Sequence, residues 1–150
     1  MSVTEILPDL WLGDEKSSQD GKFVERAGVK FIINCSKDIP ENEFGIENIR
    51  INVDDHPSVS HLEDNELLYG ALDGTIEYIH KCLMSGKCVL IHCKAGRQRS
   101  ASIVAAYLMK YADIDIDKAV YYIRTKRPIA FTPNINFLPA LKKYWSIVSS

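Results

Sequence analysis

The sequence predicts an α/β domain on a mostly parallel sheet of four to five strands, covered by helices on both faces. Three observations carry this. "VKFIIN" (residues 29–34) is a continuous apolar run, rich in β-branched residues and too short for an independent helix. "CVLIH" (88–92) is a second such run, ending where "CKAGRQRS" begins. Around and between them lie segments with apolar residues at helical spacing, and strands interleaved with helices need a parallel sheet with crossovers.

The elements follow in order. "EILPDLWLG" reads as two short extended pieces around a Pro8-Asp9 turn, ended by Gly13. Residues 14–27 are expected to hold a helix with Phe23 and Val24 in the core and Gly28 as its stop. After the strand 29–34, "NIRINV" (48–53) alternates as a second strand. From Asn65 to Met84, Leu67, Leu68, Ala71, Ile76, Ile79 and Leu83 keep helical spacing, and "SGK" closes the segment. The strand 88–92 follows, then "SASIVAAYLMKY", a helix apolar nearly all round and so central to the core. Asp115 or Asp117 caps the next helix, which runs through Ile123 and stops before Pro128. Thr132-Pro133 is expected to begin the last helix, but Pro139 sits deep for that start, so the helix is expected either to kink or to begin later.

Composition narrows the function. The 150 residues, 46% hydrophobic and 25% charged, suit one domain spanning 1–150. A net charge of −2 with mixed signs supplies no field for duplex nucleic acid. No apolar run reaches the length of a membrane span, and the first residues lack a basic stretch followed by an apolar one. The four cysteines (Cys35, Cys82, Cys88, Cys93) form no Cys-x-x-Cys pair. A soluble intracellular protein with reduced thiols, cytoplasmic or nuclear, is therefore expected. Oligomeric state is left open.

"IHCKAGRQRS" (91–100) carries the chemistry. A loop leaving a buried strand and opening into a helix turns backbone N–H groups toward the positive end of the helix dipole, which makes an anion site. Gly96 allows close backbone approach. Arg99 offers a planar fork for two phosphate oxygens. The same field favours the thiolate of Cys93 over the thiol. A nucleotide-binding Gly-x4-Gly-Lys-Ser/Thr loop is absent, and His92 and Cys93, adjacent on a strand, point to opposite faces and cannot share a zinc ion. Neither cofactor nor metal is expected.

His92-Cys93-x-x-Gly96-x-x-Arg99-Ser100 resembles the signature of the cysteine-dependent protein tyrosine phosphatase superfamily. "EILPDLWLG", "FIINCS" and "FTPNINFL" are similar to flanking segments of its small dual-specificity phosphatases. The resemblance implies that Cys93 attacks phosphorus to form a phosphocysteine. It further implies that backbone amides across Lys94, Ala95, Gly96, Arg97, Gln98 and Arg99, with the Arg99 guanidinium, hold the phosphate oxygens. Ser100 then assists the departing thiolate, beside its simpler use as a helix cap. His92 is expected to order the loop, and Asn34 to bind loop backbone. Cys35 is expected to pack in the core, although in some relatives a second cysteine traps the oxidised nucleophile as a disulfide.

A leaving alkoxide needs a proton from a carboxylic acid facing the phosphate. "INVDDHPSVSHLEDN" offers Asp54, Asp55 and Asp64, and alignment on "IRINV" selects Asp55. The stretch from Asp55 to Cys93 is longer than these phosphatases usually carry, in the loop or in the helix after it, which keeps Asp64 as the alternative. Gln98 stands where relatives often have Ser. Basic residues at Lys94 and Arg97 resemble the lipid-phosphatase branch, and their simpler use is solvent-facing charge. The expected activity is hydrolysis of phosphotyrosine and of phosphoserine or phosphothreonine on proteins. The alternatives are a phosphoinositide or RNA 5'-phosphatase of the same superfamily, or a non-catalytic phosphate-binding module.

Overall fold

The computed structural model describes residues 1–55 and 62–149. Its strands are β1 (Val3–Leu7), β2 (Leu10–Gly13), β3 (Val29–Asn34), β4 (Glu47–Arg50) and β5 (Cys88–His92). Its helices are α1 (Gly21–Ala27), α2 (Leu62–Met84), α3 (Arg99–Tyr111), α4 (Ile116–Lys126) and α5 (Leu138–Val148). Among the described residues the five strands form one sheet in the order β1-β2-β5-β3-β4. Only β1 and β2 pair antiparallel, as a hairpin closed by Pro8 and Asp9; the other pairings are parallel.

β5 is thus the middle strand, parallel to neighbours on both sides, and all five of its residues are buried. Its alternation splits the core. Val89 and Ile91 face the larger cluster, with Phe31 and Ile33 of β3, Leu72 and Ile76 of α2 and most of α3. Cys88 and Leu90 face the smaller one, where Phe23 and Val24 of α1 meet Trp11. Residues 99–109 of α3 are all buried, as a helix apolar nearly all round requires. A strand covered on both faces has only its ends free, and in parallel sheets ligands bind at the carboxyl ends.

Several boundaries differ from those the sequence suggests. The expected helix over 14–27 is broken into a one-turn 3-10 helix (Ser17–Gln19) and α1. Local polar side chains compete with the helix here. Asp14 accepts from the Ser17 N–H at 3.0 Å, while extended Asp20 caps α1 through the Phe23 N–H. The strand expected over 48–53 ends at Arg50, because the chain bends as the Val53 N–H bonds the Ile51 carbonyl at 2.9 Å. α2 starts at Leu62 rather than Asn65, and Asp115, not Asp117, caps α4 by accepting from the Lys118 N–H. α4 continues past Ile123 to Lys126. Thr132-Pro133 does not begin the last helix: α5 starts at Leu138, which puts Pro139 in the first turn and removes any reason for a kink.

Candidate active site

Residues 93–98 join the carboxyl end of β5 to the first turn of α3. Each carbonyl from 94 to 98 is engaged by the scaffold. Lys94 O accepts from the Glu15 N–H at 3.0 Å, Arg97 O from the Phe131 N–H at 2.8 Å, and Gln98 O from the Ser102 N–H at 2.9 Å. Ala95 O and Gly96 O accept from the Arg127 guanidinium, at 3.1 Å from Nη2 and 2.8 Å from Nε. In a planar trans peptide the next N–H points opposite to the carbonyl. With five successive carbonyls held outward, the N–H groups of residues 95–99 turn inward and form a cradle of donors at the α3 N-terminus. Gly96, at φ +66°, lies so close to the rest that a Cβ would meet the Gly13 carbonyl oxygen and Arg127 Nη2 at 2.6 Å.

Cys93 sits at the base of this cradle, 3% exposed, with its Sγ 3.0 Å from Ser100 Oγ. Ser100 lies inside α3, not at its cap; Gln98 is the N-cap residue and makes no side-chain cap bond. Arg99 is anchored through Nη1 to Val53 O at 3.1 Å, and its buried Nε has no partner among the described residues. His92 is 1% exposed, and burial pushes its imidazole down to about 4, only partly offset by its bond to the Cys93 backbone. It is therefore neutral at physiological pH. Burial pushes the other thiols up, Cys88 to about 11, with Cys35 and Cys82 also raised. The Cys35 N–H bonds the His92 carbonyl at 2.8 Å, so Cys35 stands beside Cys93 at the ends of adjacent strands, both as free thiols.

The three carboxylates take different positions. Asp54 meets Lys37 at 3.8 Å and, with Asp55, Lys94 and Arg99, lines a hollow of about 340 Å³ that does not include Cys93. Asp64, in α2, is buried and accepts from the Asp54 backbone N–H at 3.1 Å, and it is not among the residues lining the cleft beside Cys93. Asp55 lines the cleft of about 460 Å³ that contains Cys93, Lys94, Arg99, Thr132 and Asn136. Asn34 does not bind the cradle: it donates to Ile39 O at 2.9 Å and accepts from Ser36 Oγ at 2.6 Å, which orders the turn after β3. A larger hollow of about 880 Å³ between α1 and Phe44 holds neither a nucleophile nor a cradle of amides.

The family model described as dual specificity phosphatase, catalytic domain, matches residues 10–147. The chain belongs to this family. Human dual specificity protein phosphatase 16 is 35% identical to it over 141 residues, which make up 94% of this chain and 20% of that protein. The chain thus spans about a fifth of that relative's length. Human dual specificity phosphatase 28 is 31% identical over 143 residues, 95% of this chain and 77% of that protein. The crystal structure of that human phosphatase superposes with a TM-score of 0.86 at 28% identity, covering 99% of this chain and 95% of the other.

Sequence reasoning missed two residues that the structure brings to this loop and cleft. Arg127, 2% exposed, holds two loop carbonyls and reaches Thr4 Oγ1 at 2.9 Å, yet it lies 28 residues beyond Arg99 at the end of α4. Its local signal, an arginine before Pro128, is also that of an ordinary helix end. Asn136 was missed as well: it donates through Nδ2 to Asp55 Oδ1 at 2.8 Å. Arg97 is tied to the same segment, donating to Thr132 O at 3.0 Å, whereas Lys94 is exposed at the cleft rim.

Proposed function

We propose that the protein hydrolyses phosphotyrosine, and phosphoserine or phosphothreonine, on protein substrates through a phosphocysteine intermediate. The observation that carries this reading is the set of outward carbonyls from 94 to 98, which leaves a cradle of inward amides directly above the Cys93 sulfur. Such a cradle holds three phosphate oxygens and presents phosphorus to the thiolate. Sγ forms a bond to phosphorus as the ester P–O bond breaks, and the departing oxygen takes the proton of Asp55. In the second half, Asp55 as carboxylate removes a proton from water, the water oxygen bonds phosphorus, and the S–P bond breaks. Ser100 Oγ, 3.0 Å away, donates to the departing thiolate. Arg99 meets the equatorial oxygens in both halves.

The cleft walls favour a protein substrate. Arg97 is held by Thr132 instead of being free to meet further phosphates on a ring. A thiolate nucleophile must stay reduced, which places the activity in an intracellular compartment. No helix among the described residues is long and apolar enough to cross a membrane.

The test compares turnover of phosphotyrosine and phosphothreonine peptides, a phosphoinositide and a 5'-triphosphorylated RNA by the wild type and Cys93→Ser. The expected result is release of phosphate from the peptides first and a fall of roughly 10³-fold or more with Cys93→Ser. A serine variant as active as wild type ends the phosphocysteine mechanism, and faster lipid or RNA turnover ends the protein-substrate reading.

A further inference from the structure

The Gln98 side chain has no evident task in phosphate binding, yet the residue is 3% exposed and every polar atom of its amide is used. Nε2 donates to Thr132 O at 3.2 Å and Asn134 O at 2.7 Å, while Oε1 accepts from the Asn136 N–H at 3.0 Å. Two carbonyls on one side and an N–H on the other permit only this orientation of the amide. The residue immediately before Arg99 thereby clamps residues 132–136 against the phosphate loop. Asn65 clamps the far side of the same segment, accepting from the Ala140 N–H at 3.0 Å and donating to Asn136 O at 3.4 Å. Asn136, 8% exposed and fixed from both sides through its backbone, then extends Nδ2 to Asp55 Oδ1 at 2.8 Å.

We propose that Asn136, held in place by Gln98, is the positioning residue that orients the Asp55 carboxyl and selects which of its oxygens carries the transferred proton. The inference rests on the reading of Asp55 as the acid. An amide NH₂ can only donate, so the oxygen it meets must accept. In the protonated acid that oxygen is the carbonyl, and the proton resides on Oδ2. The O–H is thereby turned away from Asn136 and left for the departing ester oxygen. After the first half the same contact holds the carboxylate with Oδ2 available to take a proton from water. Without it the carboxyl rotates and either oxygen carries the proton. General acid catalysis is worth about 10²- to 10⁴-fold, and a misaligned acid forfeits part of that.

The diagnostic quantity is the ratio of kcat on an aryl phosphate with a good leaving group, difluoromethylumbelliferyl phosphate, to kcat on phenyl phosphate, whose leaving group needs the proton. Asn136→Leu is expected to raise this ratio about tenfold, a part of the general-acid factor, and Gln98→Ala to raise it less. In an Asp55→Asn background, where no acid remains to be oriented, Asn136→Leu should leave the ratio where Asp55→Asn alone puts it. An equal fall on both substrates, an unchanged ratio, or an undiminished effect of Asn136→Leu in the Asp55→Asn background overturns the proposal. The Asp55→Asn single variant separates the two levels. If it cripples phenyl phosphate turnover while Asn136→Leu does not change the ratio, the positioning role fails and the acid stands. If it leaves phenyl phosphate turnover intact, the acid assignment falls, and the positioning role falls with it.

Discussion

In the proposed mechanism the 3.0 Å contact between Ser100 Oγ and Cys93 Sγ matters unequally to the two halves of the reaction. In the first half it stabilises the attacking thiolate, which dulls the nucleophile; in the second it stabilises the thiolate as leaving group. A hydrogen bond to a charged group is worth about 1.5–3 kcal/mol, so Ser100→Ala should slow phosphocysteine hydrolysis about 10- to 100-fold. Stopped-flow traces should then show a burst of released phenol stoichiometric with enzyme, followed by slow turnover; a uniform slowing with no burst contradicts this assignment. Asp55, Asp54 and Asp64 are equivalent as letters, and what distinguishes them is position: one lines the cleft, one meets Lys37, one is buried against a backbone N–H. Gln98 is legible in the sequence only as a departure from a pattern, because its task depends on carbonyls at 132 and 134.

At the scale of elements, the phosphate loop gets its shape from α4 and the first hairpin as much as from β5 and α3. Arg127 takes two loop carbonyls and Thr4, so the end of one helix fixes the amide direction at the start of another. Arg127→Met should leave these buried carbonyls without donors, at a cost of about 1–3 kcal/mol each. The expected outcome is a lower Tm and at least a tenfold weaker inhibition by vanadate, measured at a temperature where circular dichroism shows the variant folded. Unchanged vanadate affinity would mean that the loop holds its shape without the clamp. Elements with one dominant signal are visible in the sequence: β3 and β5 as apolar runs, α3 as a helix apolar nearly all round. Boundaries set by competition between local and distant partners are not. Residues 14–20 carry helix-compatible letters, but Asp14 and Asp20 draw local hydrogen bonds. Residues 51–53 alternate like a strand, yet the chain bends there and Val53 gives its carbonyl to Arg99.

For the whole molecule, the neutral buried His92 links stability to pH. Its folded value of about 4 lies below the ordinary 6.5, so the unfolded chain binds a proton that the folded one refuses. The stability from this group is fully present above pH 6.5 and is lost as pH falls from 6.5 toward 4, by about 3 kcal/mol at most. Urea unfolding at pH 7, 5.5 and 4.5 should show this loss, and His92→Gln should flatten it; an equal slope in the variant assigns the loss to other groups. In the proposed mechanism amides and Arg99 carry the charge stabilisation, so EDTA should leave phosphatase activity unchanged, and a loss with chelator would count against the mechanism. The sequence by itself determined the fold class and brought the proposed nucleophile Cys93, Gly96 and the Arg99 guanidinium into one loop, since their spacing within a short stretch of chain is their geometry. Only the tertiary structure decided which carboxylate lines the cleft with Cys93, that Arg127 holds two loop carbonyls, and that Asn136, held by Gln98, reaches Asp55. These contacts join residues 31 to 81 positions apart, and a burial or a hydrogen bond at that separation exists only once the sheet and helices have closed around it.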